Sequence, residues 1–179
     1  MPFDLIEAGP SGLLVLKPRS FRDERGFFLE SYKESDFRSF GIRERFIQDN
    51  HSRSKKGALR GLHYQGGAAA QAKLIRVVRG KVWNVAVDLK SRLPGSARWY
   101  GLELSEKNGL ILYLPPCFAN GFLALEDDTE LLYKCSAEYA PEAERGIRWN
   151  DPDLAIAWPR TPSFVSDKDA ALPFLKDMR

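Results

Sequence analysis

Histidine and cysteine are scarce in this chain, with two of each among 179 residues. His51 and His63 stand too far apart in sequence to form an HxH or HxxxH pair. Metal-binding barrels usually offer two closely spaced imidazoles and a carboxylate, so the pattern argues against a protein-bound catalytic metal. Cys117 and Cys135 also lack metal-ligand spacing, and a reducing compartment would leave them as thiols. No run of lysine or arginine is long enough to suggest a nucleic-acid groove, and a net charge of +3 is too small to argue for one, although it suits an anionic small ligand. No apolar stretch approaches membrane-spanning length. The opening MPFDLIEAGPSG has no basic flank followed by an apolar run, so neither a membrane anchor nor a signal peptide is expected, and the expected location is the cytoplasm. Linker-like tracts, repeats and heptads are missing too, so residues 1–179 read as one domain with a sizeable core.

What the chain does have is sheet-forming sequence. Aromatic residues make up 12% of it, which favours strand over helix. Strands are expected at residues 13–17, 27–32, 46–51, 58–65, 73–79, 82–89, 98–104, 110–114, 118–125 and 130–135. Turn signals separate them, among them Pro94-Gly95, Lys107-Asn108-Gly109, Pro115-Pro116 and Asp127-Asp128. One short helical pattern falls between Lys33 and Phe40 and stops at Gly41. Short strands at fairly regular spacing with almost no helix between them read as an antiparallel sandwich, jelly roll or barrel. Beyond Pro141 the chain becomes irregular and rich in Trp and Pro, closing on a short segment at 167–175.

Charge sits in an unusual place within GALRGLHYQGGAAAQAK (57–73). Strict alternation would put Leu59, Gly61, His63 and Gln65 on one face of a strand and Ala58, Arg60, Leu62 and Tyr64 on the other. Lys73 then shares a face with Ile75 and Val77, an ammonium in an apolar row. Each polar residue also has an ordinary explanation. A strand histidine is commonly a hydrogen-bonded rim residue, and Lys73 could be a snorkelling edge lysine. Tyr133, on the face of Leu131 and Cys135, could be a packed ring with its hydroxyl at the rim. Asp169 could be a helix-start carboxylate, and Asn120 a turn residue before glycine.

Taken together, DERGFFLESY (23–32), QDNHSRS (48–54), LRGLHYQ (59–65), KLIRVVRGKVWNVAVDL (73–89), PPCFANGF (115–122), LLYK (131–134) and RGIRWNDP (145–152) resemble the dTDP-4-dehydrorhamnose 3,5-epimerase family, in order and at its spacing. The resemblance implies an all-β fold, a cupin-type antiparallel jelly-roll barrel with a few short helices, acting as a homodimer without metal or organic cofactor. The implied substrate is a nucleotide-diphosphate 4-keto-6-deoxysugar. By motif, His63 matches the family's base, Asp169 the carboxylate that orients it, Lys73 the cation beside the C4 oxygen and Tyr133 the acid on the opposite face. Arg25, Glu30, Gln48, Asp49, Asn50, Arg60, Asn120, Glu144 and Lys168 match positions that hold nucleotide or sugar, and Tyr139 the residue that stacks on the base. A base of this kind works only as neutral imidazole, so activity is expected to fall toward acid pH.

The chain departs from the family pattern at four positions. Asn120 stands where the family has histidine, Cys117 where it has glycine, Ala72 before Lys73 where glycine is usual, and Glu138 where an aromatic often precedes the stacking tyrosine. Asn120 could donate a neutral hydrogen bond near the keto oxygen but could not shuttle a proton. Its presence keeps open an epimerase that inverts one centre only, or works on another nucleotide sugar. A non-catalytic sugar-nucleotide binding module and a metal-dependent cupin oxygenase are the readings from other classes.

Overall fold

The computed structural model describes residues 2–90 and 98–178; the Pro94-Gly95 turn lies outside them. Two antiparallel sheets face each other across a shared interior, a jelly roll of the cupin type. The first runs in the order β1 (Phe3–Ala8), β2 (Leu14–Pro18), β10 (Ile111–Leu114), β7 (Lys73–Arg79), β12 (Thr129–Cys135) and β5 (Gln48–Ser54). In the second, β13 (Glu144–Gly146), β6 (Ala58–Gln65), β11 (Phe118–Ala124), β8 (Lys81–Asp88) and β9 (Trp99–Ser105) lie side by side. A separate hairpin pairs β3 (Phe21–Asp23) with β4 (Gly26–Phe28). The short helices are α1 (Glu34–Ser39) and α2 (Asp167–Ala170), and β14 (Phe164–Val165) runs parallel to β6, the one exception to antiparallel pairing among the described strands. No helix of the described residues is long and apolar enough to cross a membrane.

Alternation along β8 shows how the layers are built. Val82 and Ala86 point inward and pack with Ile75, Leu112 and Phe122, whereas Val85 and Val87 pack on the outer side with Ile147 and Leu154 from the irregular C-terminal stretch. Both faces are buried, so the strand reads as apolar throughout. The outer face of the first sheet is covered in the same way by Phe37 and Ile42 from α1 and the loop after it.

Three expectations need correction. β1 was not foreseen, because in FDLIEA only Phe3 is buried; the segment is a bulged edge strand whose other side chains meet solvent. The strand expected at 27–32 stops at Phe28, where Phe27 and Phe28 are exposed on the hairpin instead of joining a large sheet. The strand expected at 46–51 starts at Gln48 and continues to Ser54, set by its full register against β12.

A fourth difference shapes the interior. Asn120 pairs with His63 but Phe122 pairs with Arg60, so one residue of β11 faces two of β6. This bulge at Gly61-Leu62 breaks the alternation expected for 58–65 and brings Arg60 and His63 to the same side. It also needs glycine. Gly61 has φ of +122°, and a Cβ there would lie 2.5 Å from Gly121 Cα and 2.8 Å from the Asn120 carbonyl oxygen. Gly61→Ala therefore combines an unfavourable backbone conformation with a backbone clash, and is expected to cost about 3 kcal/mol or more. Thermal unfolding of the variant checks this; an unchanged Tm would mean that the two strands can separate freely.

Candidate active site

Opposite sheets supply the groups that meet in the interior. β6 brings Arg60 and His63, while β7 and β12 bring Lys73 and Tyr133. Two cavities, of about 280 Å³ and about 320 Å³, share His63, Lys73 and Tyr133 as a common wall, and together they reach the size range of small-molecule sites. The larger extends to Arg60, Asn120, Lys168 and Asp169. The smaller extends to Gln48, Asn50, Tyr139 and Glu144.

α2 exists in order to present Asp169. Ser166 caps it, its Oγ accepting from the Asp169 N–H at 3.1 Å, which turns the carboxylate back toward β6. Asp169 is 4% exposed, its Oδ1 lies 2.7 Å from His63 Nε2, and its Oδ2 accepts the Gly61 N–H at 3.1 Å. Burial alone would raise the pKa of this carboxyl, but the hydrogen bonds from His63, Gly61 and Ser166 and the nearby imidazole outweigh it, and the pKa is lowered. An ionised carboxylate can only accept, so His63 Nε2 carries the hydrogen, and in the neutral form of the ring Nδ1 holds the free lone pair. The bulge that demands Gly61 thus also supplies the N–H that fixes the histidine's partner.

Lys73 lines both cavities, and its Nζ donates to the His63 carbonyl oxygen at 3.4 Å, spanning the two sheets. Burial pushes its pKa below the usual lysine value, with Cys135 and Glu144 acting against the shift. The Tyr133 hydroxyl takes no hydrogen bond from another described residue, and burial raises its pKa, reinforced by Cys135 and Glu144 and opposed by Arg60. It therefore remains a protonated phenol at neutrality. Arg60 is held by Ser54 Oγ at 3.1 Å and the Arg53 carbonyl at 3.3 Å.

At the other end, the Tyr139 N–H donates to Gln48 Oε1 at 2.7 Å, and Gln48 Nε2 donates to Asn50 Oδ1 at 3.0 Å. The Tyr139 hydroxyl and Lys168 Nζ both reach Glu144 Oε2 at 2.6 Å. Desolvation works to raise the Glu144 pKa, yet those two partners lower it overall. The Tyr139 ring is 53% exposed at the mouth.

Three of the residues matched to ligand positions do not line these cavities. Asp49 alternates away from Gln48 and Asn50 on β5 and pairs on the outer face with Lys134 at 2.8 Å. Arg25 sits at the tip of the exposed hairpin, paired with Asp23. Glu30 follows the same hairpin, with Oε2 buried and unpartnered. Among the described residues, no group of three His, Cys, Asp or Glu side chains is placed to hold a metal ion.

Residues 9–177 match the family model described as dTDP-4-dehydrorhamnose 3,5-epimerase. The Escherichia coli dTDP-4-dehydrorhamnose 3,5-epimerase is 46% identical over 177 residues, covering 98% of this chain and 96% of that protein. The chain belongs to the dTDP-4-dehydrorhamnose 3,5-epimerase family. Among solved members, the dTDP-6-deoxy-D-glucose-3,5-epimerase of Legionella pneumophila, in complex with dTDP-4-keto-L-rhamnose, superposes with a TM-score of 0.92 at 41% identity, covering 99% of this chain and 95% of that one. The 3'-monoepimerase ChmJ of Streptomyces bikiniensis, in complex with dTDP-quinovose, gives 0.85 at 34% identity and coverages of 92% and 84%.

Sequence reasoning assigned no role to two polar residues of this epimerase-family site. Gln65 is 4% exposed; its Oε1 accepts the Ala140 N–H at 2.8 Å and its Nε2 donates to the Glu138 carbonyl at 3.1 Å, anchoring the loop that carries Tyr139. Ser52 Oγ is buried in the larger cavity without a partner. The available signal was a polar side chain at an inward strand position, which alternation marks but cannot assign a task.

Proposed function

We propose that the protein inverts C3 and C5 of a dTDP-linked 4-keto-6-deoxyhexose, as a cytoplasmic, cofactor-independent isomerase. The observation that carries this reading is the Asp169–His63 pair lining one cavity with Lys73 and Tyr133 from the opposite sheet. A ketone at C4 acidifies the hydrogens on C3 and C5. His63 Nδ1 takes one of these as a proton, and the electron pair moves to the C4 oxygen as an enolate. The Lys73 ammonium interacts with that developing charge more strongly than with the neutral ketone. Tyr133 returns a proton to the carbon from the other face, which inverts the centre. Arg60, with Ser54 and the Arg53 carbonyl fixing its fork, suits the diphosphate, and Lys168 suits the same charge from α2. Tyr139 suits stacking on the base, with Gln48, Asn50 and Glu144 beside it.

Tyr133→Phe separates proton removal from inversion. His63 should still take and return a proton on its own face, so deuterium uptake from D2O continues while inversion falls by about 10²–10⁴-fold. Proton NMR of substrate and product in D2O reads both. Uptake at C3 and C5 in wild type is the expected result; uptake at one centre alone would make the protein a single-centre epimerase, the reading that Asn120 keeps open.

The assembly in this reading is a homodimer. The β3–β4 hairpin exposes Phe21, Phe27 and Phe28 at 55%, 64% and 66%, an apolar surface that a second copy would cover. Arg25 and Glu30 lie on or beside that hairpin and away from the cavities of their own chain, so in the dimer they serve the partner's nucleotide. Light scattering should give twice the chain mass at micromolar protein, and Phe27→Ser/Phe28→Ser should give the monomer. A monomeric wild type would remove both the dimer and the role of Arg25.

A further inference from the structure

Asn120, on the wall of the larger cavity, is tied to Asn84, a polar pair outside the proposed proton path. Asn84 and Asn120 come from the adjacent strands β8 and β11, among the inward-facing Val82, Ala86, Phe118 and Phe122. Asn120 Nδ2 donates to Asn84 Oδ1 at 3.1 Å and to the Val85 carbonyl at 3.0 Å. A backbone carbonyl only accepts, so the NH2 end of Asn120 belongs on the Val85 side whichever way the amide is first drawn. Oδ1 is then the end left for the cavity, which Asn120 lines beside its register partner His63. Asn84 is 1% exposed, and its own Nδ2 is buried without a partner. Only its acceptor oxygen is used, and that oxygen is used on Asn120. An apolar side chain would fill the space without stranding a donor.

We propose that Asn84 is a positioning residue that locks Asn120 with Oδ1 facing the cavity, where it accepts a hydrogen bond from a hydroxyl of the substrate's sugar ring. This deepens the epimerase reading and rests on it. It also replaces the expectation that Asn120 donates to the keto oxygen, since both of its N–H groups are engaged and an acceptor beside an enolate would repel it. Lys73 then serves the C4 oxygen, and Asn120 sorts sugars by a hydroxyl.

A double-mutant cycle tests this in the full-length protein, with deuterium uptake into dTDP-4-keto-6-deoxyglucose as the rate and dTDP affinity as the check on folding. Asn120→Ala and Asn84→Leu should each lower kcat/KM about tenfold while dTDP affinity stays unchanged. The double variant should be no slower than Asn120→Ala alone. Asn84→Asp keeps the acceptor and should restore most of the rate. Independent losses that multiply in the double variant, or a wild-type rate in Asn84→Leu, would overturn the inference. Where Asn84→Leu fails to bind dTDP, substrate analogues lacking the C2 or the C3 hydroxyl decide. Wild type should discriminate against one of them by about tenfold and Asn120→Ala should not; equal discrimination by both proteins overturns the contact. No uptake by wild type on any substrate would overturn the epimerase reading itself, and this inference with it.

Discussion

His63→Ala is expected to slow deuterium uptake by about 10²–10⁴-fold, the range for removing a positioned general base. The variant keeps the Lys73 charge, the Tyr133 phenol and the nucleotide end of the cavity, so dTDP affinity should match wild type. That control separates a lost base from a damaged fold. Asp169 has its pKa lowered from 3.8 in the folded protein, so the stability it contributes is complete above the ordinary carboxylate range and is lost only as pH falls through the still lower folded value. A rate within about threefold of wild type in His63→Ala would remove the base and leave the cavity a binding site.

The strands at 73–79, 82–89 and 118–125 were legible because each alternates around a clear apolar face and ends at turn residues. β8 shows the limit of the same method, since Val82 and Val85 serve two different layers and only the second layer's composition reveals it. The site was half legible. Lys73 in a row with Ile75 and Val77 stands out from sequence, and the cavity contains it. The placing of Arg60 with His63 was not readable, because a bulge adds one residue to β6 only when Gly121 lies opposite Gly61, and pairing across the twelve described strands of two sheets is not a local property. Asp49 lies outside the two cavities for the opposite reason: it sits inside a matching motif, but period-two geometry turns it away from both of its neighbours, toward Lys134. Asn120 was noticed as a departure, yet its orientation depended on Asn84, a residue that reads as one polar position in an apolar strand.

Lys73→Met should inactivate the protein and stabilise it together. The ammonium lies in a row with Ile75 and Val77, and burial lowers its pKa. Between that lowered value and 10.5, the unfolded chain binds more protons than the folded one, so stability rises with pH across the window. Below the window, neutral pH included, the folded state carries the cost of partly desolvating a cation. Methionine fills a similar space without that cost, and Tm at pH 7 should rise by about 2–4 °C, the shift that roughly 1 kcal/mol gives a chain of this size. The gain should shrink as pH approaches 10.5. Activity should move the other way, falling by about 10²–10³-fold, because an enolate left without its cation loses the largest charge-stabilising group in the cavity. The wild-type rate should also decline on the alkaline side at a lower pH than an ordinary lysine would give, as Lys73 loses its proton. Thermal unfolding at pH 7 and pH 10, set beside the uptake rate, reads both effects. A variant that is less stable at pH 7 and still active would mean that Lys73 is a structural tie to the His63 carbonyl, and the enolate would need another partner.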